Sequence, residues 1–566
     1  MTQAPDPLSE VTLAFNDVFP GTTSDTFFET KGWEYPVSYF VGRNGSGKSR
    51  TAKLVAEHLG GSYLSTDRLS GLMSFSNWGW TSVPAMDSYK GVPLGDTERS
   101  QAAGLSAQGS GVGALYALKD QPEVWLRVAA FLRRALGRVI ELRESAGYLD
   151  PYIRVGGSEY SLLRDEGHGL RELVILLTAA YREDWTLLVV DEPELHLHPA
   201  MARLWLSELE NECRRRNSRA VVVTHEPTML KPATAGDLGA VWYFSADRPS
   251  QRLIDHVGTE LQGRVTSSLK TNPQLISQLV FSPRPVLVEG VHDVAALTTS
   301  LERTQPPEVV AQTDLVECGG SGAVALWFAI SHSLGLDVRA VADLDACLAS
   351  EVQAVMDRSP DVVSKYRSVL LAEPPRSHVI LRPLIEEMNN QSVPASPKQR
   401  AAWLAASVAP GTGHEARLTQ FQDIWRDAGF WLHPQGTLED VLSITAKGRE
   451  VAQEAASRPG PIDDVARWCA FELDAMGDVE ILLGAAVERI AHAIMEALRV
   501  EPLTQFTSPV GGSSISDSRL VDVTPLGDGR HRITVKKPEA FSGQWVDFSR
   551  DTPSNFLQLN KADGGD

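Results

Sequence analysis

One stretch, VSYFVGRNGSGKSRTAKLVAEHL (residues 37–59), constrains the fold of this chain more than any other. An apolar run from Val37 to Val41 reads as a strand, and the residues after Ser49 read as an amphipathic helix. Between them Gly42, Gly47, Lys48 and Ser49 complete the pattern G-x-x-x-x-G-K-[ST]. A glycine-rich turn at that junction lets backbone N–H groups close around phosphate oxygens, and the helix N-terminus adds a favourable dipole. Gly42, Asn44, Gly45 and Gly47 then form the cradle, Lys48 reaches the β- and γ-phosphates, and Ser49 ligates Mg²⁺. The expected fold class is α/β, with ATP as the ligand of a first module.

A second strand carries the acidic half of such a site. In DWTLLVVDEPELHLHP, Leu187 to Val190 are wholly apolar, as in the middle of a parallel sheet. That strand delivers Asp191 and Glu192 at its carboxyl end, where α/β proteins place their chemistry. Asp191 is expected in the Mg²⁺ shell, with Glu192 orienting and deprotonating the attacking water. A third strand, AVVVTHEP, ends at His225, placed to sense the γ-phosphate. His196 and His198 form an H-x-H pair, which beside a P-loop reads as structural or as a subunit contact.

Farther on, RPVLVEGVHDVAALTTSL (residues 284–301) is a strand, a turn at Gly290 and a helix start. It sets Glu289 at the strand tip and Asp293 near the helix N-terminus. The segment from Leu315 to Cys347 adds a strand, a turn at Gly319, Gly320 and Gly322, a helix, and a strand from Val338 to Ala342 that ends at Asp343 and Asp345. If extended, this last run points Asp343 and Asp345 the same way. Carboxylates on neighbouring strand ends repel one another unless cations lie between them, and an all-oxygen set suits Mg²⁺ or Mn²⁺.

Bulk properties bound the rest. A chain of 566 residues exceeds a single core and implies about two to four domains. The net charge of −19 gives no overall attraction for nucleic acid, so DNA binding requires local basic patches. One candidate is NECRRRNSR, with Arg214, Arg215, Arg216 and Arg219; the alternative is a solvated helix end. No run of about 18 apolar residues suggests a membrane span, and the N-terminus lacks the features of a signal peptide. Cys213, Cys318, Cys347 and Cys469 are scattered without a C-x-x-C pair. A reducing cytoplasm is therefore expected. Residues 121–147 read as one amphipathic helix with Val124, Val128, Phe131, Leu132, Ala135 and Val139 on a face.

The P-loop, D-E-P-E and T-H-E-P segments, in that order, resemble the ABC-type ATPases of the branch shared with SMC-like and OLD-family proteins. The resemblance makes His225 the switch histidine and ELHLHP the segment crossing a dimer interface. It makes Arg164–Leu173 the counterpart of the signature loop, departing from the usual Ser-Gly-Gly form. Glu289, Asp343 and Asp345 resemble the acidic motifs of TOPRIM domains, and Asp293 the early aspartate of OLD-family chains. That family joins an N-terminal ABC/SMC-like P-loop ATPase to a Rossmann-like TOPRIM nuclease with helical additions. It implies a later acidic ligand, matched by Glu439 of GTLEDVL ahead of Asp440, and a catalytic lysine, for which Lys447, Lys536 and Lys537 remain open.

The expected organisation is an ATPase domain over residues 1–250 with a helical insertion at about 60–160, a connector over 251–284, a TOPRIM domain over 285–450 and a C-terminal helical extension and tail over 451–566. The resemblance further implies an ATP-regulated DNA endonuclease with about two metal ions, acting on double-stranded DNA as a homodimer or larger homo-oligomer. It points to defence against phage, as in the Gabija nuclease subunit, with a separately encoded partner protein possible. The competing reading is an ATP-dependent clamp or sensor of DNA or a partner, whose second module is non-catalytic.

Overall fold

The computed structural model describes residues 10–69, 92–93, 111–145, 148–282, 284–348, 378–393, 396–407 and 415–470, and four strands between residues 521 and 561. Ahead of the P-loop strand, β1 (Val11–Ala14) and β2 (Thr26–Thr30) pair antiparallel. Strand β3 (Val37–Gly42) runs through the P-loop into α1 (Lys48–Leu59), and β4 (Ser62–Leu64) follows.

The expected insertion is only partly helical. Helices α2 (Gly111–Asp120) and α3 (Pro122–Leu136) are present, but β5 (Val92–Pro93), β6 (Val139–Ser145), β7 (Tyr148–Val155) and β8 (Ser158–Ser161) form an antiparallel sheet beside them. The helix expected over 121–147 therefore stops at Leu136. Gly137 adopts φ 64 there, and its N–H closes on Arg133 O and Leu132 O. A left-handed glycine of this kind terminates a helix without a Cβ penalty. The β-branched Val139 and Ile140 then enter a strand.

Helix α4 (His168–Tyr181), β9 (Leu187–Asp191), α5 (Pro199–Arg216), β10 (Arg219–Val223), β11 (Val241–Ser245) and β12 (Arg248–Arg252) complete the first module. Its six-stranded sheet has the order β12-β11-β3-β10-β9-β4, parallel except for β12. Both faces are covered, as parallel sheets require. Leu187 and Val189 pack with Phe27, Phe28, Phe40 and Phe244 on one face, whereas Leu188 and Val190 pack with α2–α5 on the other. Phe28, Phe40 and Phe244 are wholly buried, each burial being worth about 1.5–3 kcal/mol. Three strands, β3, β9 and β10, bring the P-loop, Asp191 and His225 to one edge of this sheet.

Residues 251–284, expected as a connector, are packed structure. They include α6 (Gln262–Thr271) and α7 (Leu275–Phe281), and Leu253, Val265, Leu269, Leu275, Ile276 and Leu279 join one core with Val41 and Tyr243. That core continues into a second sheet, of order β14-β13-β15-β16 and parallel throughout. Its elements are β13 (Arg284–Val288), α8 (Val291–Thr304), β14 (Thr313–Glu317), α9 (Ser321–Ser333), β15 (Arg339–Ala342) and β16 (Phe430–Leu432). Helices α10 (His378–Asn390), α11 (Pro397–Ser407) and α12 (Glu415–Asp427) contribute Leu384, Met388, Leu404, Phe421 and Trp425 to the core. Helices α13 (Leu438–Leu442), α14 (Arg449–Ala456) and α15 (Ile462–Cys469) close the unit.

The chain divides into two compact units, Met1–Ala470 and Phe471–Asp566. Most of the tail expected to be helical, residues 471–498, lies outside the described residues. Beyond it, the described part of the second unit is an antiparallel meander, β17 (Val521–Gly527), β18 (Arg530–Val535), β19 (Gln544–Ser549) and β20 (Gln558–Lys561). Among the described residues no helix is long and apolar enough to cross a membrane.

Candidate functional site

The P-loop is built on glycines with no substitute. A Cβ on Gly42 (φ 141) would lie 2.2 Å from Phe244 O, and one on Gly47 (φ 87) 2.7 Å from Val18 Cγ1. Asn44 and Gly45 sit on the exposed tip of the loop. Lys48, buried at the start of α1, donates to Gly42 O at 2.8 Å and Arg43 O at 2.7 Å. Burial pulls its amine down to about 8, against the opposing charges of Asp191 and Glu192. Ser49 Oγ donates to Asp191 Oδ1 at 3.1 Å, so the two expected Mg²⁺ ligands of this module already touch.

Asp191 itself is 3% exposed, and burial pushes its carboxyl up. Glu192 lies 3.4 Å from His225 Nε2 through Oε1, which unites the expected base and switch residue. His225 is pulled below its ordinary range by burial and then by Lys48, so the ring is neutral at pH 7. Glu192 has φ 47, a backbone state costing a non-glycine residue about 1–3 kcal/mol and common at functional turns.

Four further residues complete this site. Glu194 Oε1 accepts from Thr224 Oγ1 and from His225 N, both at 2.8 Å, and so fixes the strand end that presents His225. Tyr63 Oη donates to Asp191 Oδ2 at 2.8 Å. Arg68 pairs with Glu172 and donates to the carbonyls of Asp191 and Glu192 at 2.7 Å each. Only the D-E-P-E spelling hinted at Glu194. Arg68 and Glu172 lie 104 residues apart, and nothing local pairs them.

Within the chain, both residues of the H-x-H pair make local contacts. His198 Nδ1 accepts from Ala200 N at 3.2 Å at the start of α5, and His196 packs against His168 with ring centroids 5.2 Å apart and the rings tilted by 33°. In the Arg164–Leu173 segment, Gly167 caps α4 and Arg171 Nε donates to Leu162 O at 2.9 Å. The basic cluster is a helix end. Arg214 pairs with Glu210, Arg215 with Glu183 and Glu212, Arg216 donates to Ala180 O, and Arg219 to Trp33 O.

A second site forms at the carboxyl ends of β13 and β15. Glu289 follows β13, and its carbonyl accepts from Gly319 N and Gly320 N, each at 2.9 Å, across the glycine turn after β14. Asp343 follows β15; its N–H donates to Glu289 Oε1 at 3.0 Å, and its Oδ1 accepts from Leu438 N at 2.8 Å. Beyond Asp343 the chain is not extended, since Leu344–Leu348 is a 3₁₀ turn. The reason anticipated for the convergence of Asp343 and Asp345 thus fails, yet the convergence holds. Oxygen atoms of Glu289, Asp343 and Asp345 all lie within 4.8 Å of one another. Among the described residues this is the one His/Cys/Asp/Glu group with spacing fit for a metal ion.

Electrostatics mark the same residues. Burial first, then the charge of Asp343, pushes Glu289 up to about 8. Burial, with Asp293, Asp345 and Glu439 nearby, pushes Asp343 up to about 7 despite its bond from Leu438. Asp293, in the first turn of α8 and 7% exposed, accepts from Gly290 N at 3.1 Å and is pushed up to about 6, chiefly by burial. Such a set is costly without a compensating cation, and its all-oxygen chemistry fits a hard divalent ion.

Asp293 and Glu439 flank the three clustered acids, each near enough for its charge to bear on them. Glu439, although partly desolvated, is held below its ordinary range by Lys447, whose Nζ lies 3.1 Å away. Asp440 is occupied otherwise, accepting from Thr437 N and Thr437 Oγ1 at 2.9 Å as a helix cap. Of the three candidate lysines, Lys447 is at the site; Lys536 and Lys537 lie outside the described residues.

Comparison with known proteins divides the chain the same way. Residues 156–231 match the AAA-domain family described under AbiEii toxin, Type IV TA system. Residues 280–345 match the TOPRIM domain of overcoming lysogenization defect protein-like chains. An OLD nuclease of Thermus scotoductus is 26% identical over 202 residues, which is 33% of this chain and 37% of that protein. Protein ea59 of Escherichia phage lambda is 32% identical over 73 residues, 13% of this chain and 14% of its own. This chain thus spans well under half the length of either relative. A crystal structure of Stu0660 of Streptococcus thermophilus covers 48% of this chain and 91% of its own at 10% identity, with a TM-score of 0.24, too low a likeness to bear on fold or function.

Proposed function

We propose that this chain, which joins an AAA-type ATPase domain to an OLD-like TOPRIM domain, is a divalent-metal-dependent DNA endonuclease governed by ATP. The observation that carries the reading is the meeting of Glu289, Asp343 and Asp345 within 4.8 Å at two adjacent parallel strand ends. Glu289, Asp343 and Asp345 would hold Mg²⁺ or Mn²⁺, with Asp293 and Glu439 available to a second ion. A divalent cation bound there lowers the pKa of a water and neutralises charge building on a phosphodiester.

The protein's own groups do the rest. The Asp343 N–H bond to Glu289 Oε1 holds that carboxylate, and the two glycine N–H bonds to Glu289 O hold its main chain, before any ligand arrives, which lowers the cost of organising the site. Lys447 is placed by Glu439 to donate to a phosphate oxygen or to a leaving group. In the first module, Lys48 and the P-loop amides bind the triphosphate, Glu192 orients water, and His225 reads the γ-phosphate. Action on double-stranded DNA, assembly as a homodimer or larger oligomer, and defence against phage belong to this proposal and rest on family likeness.

The test is supercoiled plasmid incubated with purified protein and Mg²⁺ or Mn²⁺, with and without ATP. Nicking or cutting that Glu289→Ala abolishes supports the reading, and Lys48→Ala then reports how nucleotide governs it. Intact plasmid in every state, alongside steady ATP hydrolysis, would favour a nucleotide-driven clamp or sensor instead.

A further inference from the structure

The carbonyls that set the direction of Asp191 and Glu192 are gripped by a residue outside every motif. Arg68 follows β4 in sequence and is wholly buried, as is Glu172 on α4 at 1% exposure. Its Nη1 donates to Ser65 O and Asp191 O at 2.7 Å, its Nη2 to Glu192 O at 2.7 Å, and its Nε pairs with Glu172. Arginine is the side chain suited to this task, because its planar fork offers N–H donors in fixed directions and stays charged when buried. A single guanidinium thereby holds two successive peptide carbonyls on one side. Glu192 has φ 47 at the same point. Tyr63, from the strand just before Arg68, holds the Asp191 side chain through Oδ2. The segment from Tyr63 to Arg68 therefore clasps both the backbone and the side chain of the acidic turn. Through Glu172 it is anchored to α4, the helix that starts at His168 beside His196.

We infer that Arg68, clamped by Glu172, is a positioning residue for ATP hydrolysis. It locks the left-handed turn at Glu192, so that the carboxylate points at the attacking water, and ties that turn to the position of α4. The inference rests on the reading of the first module as an ATPase. Binding of the triphosphate runs through the P-loop and Lys48, which Arg68 does not touch, so turnover and affinity should separate.

The experiment compares wild type with Arg68→Lys, Arg68→Ala and the double variant Arg68→Met with Glu172→Met, in the full-length chain. The double variant removes both buried charges at similar volume, which keeps a fold that Arg68→Ala alone puts at risk through a stranded Glu172. Hydrogen exchange of the peptide spanning residues 187–198 is measured without nucleotide, alongside kcat, and binding of a fluorescent ATP analogue. The expected result for the double variant is exchange faster by about tenfold in that peptide only, kcat lower by about 10², and analogue affinity within about threefold of wild type. Arg68→Lys should recover only part of kcat, since an ammonium cannot span both carbonyls and Glu172. Unchanged exchange with wild-type kcat in the double variant overturns the inference. Should wild type not hydrolyse ATP, the ATPase reading falls, and the exchange result alone decides whether Arg68 holds the turn.

Discussion

At pH 7, binding of Mg²⁺ to the acidic cluster should displace about 1.5 protons, because the metal-free acids are crowded enough to keep them. The structure puts Glu289 at about 8, Asp343 at about 7 and Asp293 at about 6. At pH 7 those values leave the coupled set holding about 1.5 protons, most of it on Glu289. At pH 8.5 the same values leave only about 0.3 of a proton to displace. A cation favours the ionised form of each acid, so the sign is release, and release must shrink as pH rises. Calorimetric titration of Mg²⁺ in buffers of differing ionisation heat reads the number directly. Glu289→Gln should remove about one proton of the pH 7 release, and that difference assigns the effect to this cluster rather than to Asp191. Heats independent of buffer at pH 7, or release equal at pH 7 and 8.5, would refute the claim that these acids share one desolvated site.

Other perturbations follow from the same geometry. A carboxyl whose pKa is raised in the fold gives stability that is full below its unfolded pKa of 4.5 and lost as pH climbs toward about 8. In EDTA, Glu289→Gln should therefore melt higher than wild type at pH 8, within a limit of about 4 kcal/mol, and nearly level with it at pH 5; calorimetry at the two pH values checks both. Glu192→Gln should retain ATP binding while turnover drops by about 10² or more, read by phosphate release and by filter binding. Gly42→Ala should cost about 1–3 kcal/mol in a denaturant melt, since its Cβ would meet Phe244 O at 2.2 Å.

Where one residue's neighbours in sequence are also its neighbours in space, the chain could be read directly. The P-loop, the run from Leu187 to Asp191, and the strand–Gly290–helix unit that carries Glu289 and Asp293 all formed where their local patterns put them. The wholly apolar run was legible as a strand covered on both faces, and Leu187 and Val189 do pack into one core while Leu188 and Val190 pack into another. The stretch after Gly137 misled because Val139 falls on the helical spacing of the residues before it, and only the glycine separates helix from strand. Asp345 reached the cluster by a 3₁₀ turn that the alternation of a strand does not describe. Arg68, Tyr63 and Glu172 were illegible for a different reason. Their bonds to the acidic turn and to each other span 104 to 128 residues, and no periodicity links such positions.

Glu289, Asp343 and Asp345 are proposed to hold together a divalent metal needed for DNA cleavage. That role is read from the cleavage rate of a plasmid as Mn²⁺ is titrated, for wild type and for the triple variant Glu289→Gln, Asp343→Asn, Asp345→Asn. Wild type should cleave saturably and lose cleavage in EDTA, and the triple variant should not cleave at any Mn²⁺ concentration while its ATP hydrolysis persists. Cleavage by the triple variant at the wild-type rate, or cleavage by wild type that survives EDTA, would contradict it.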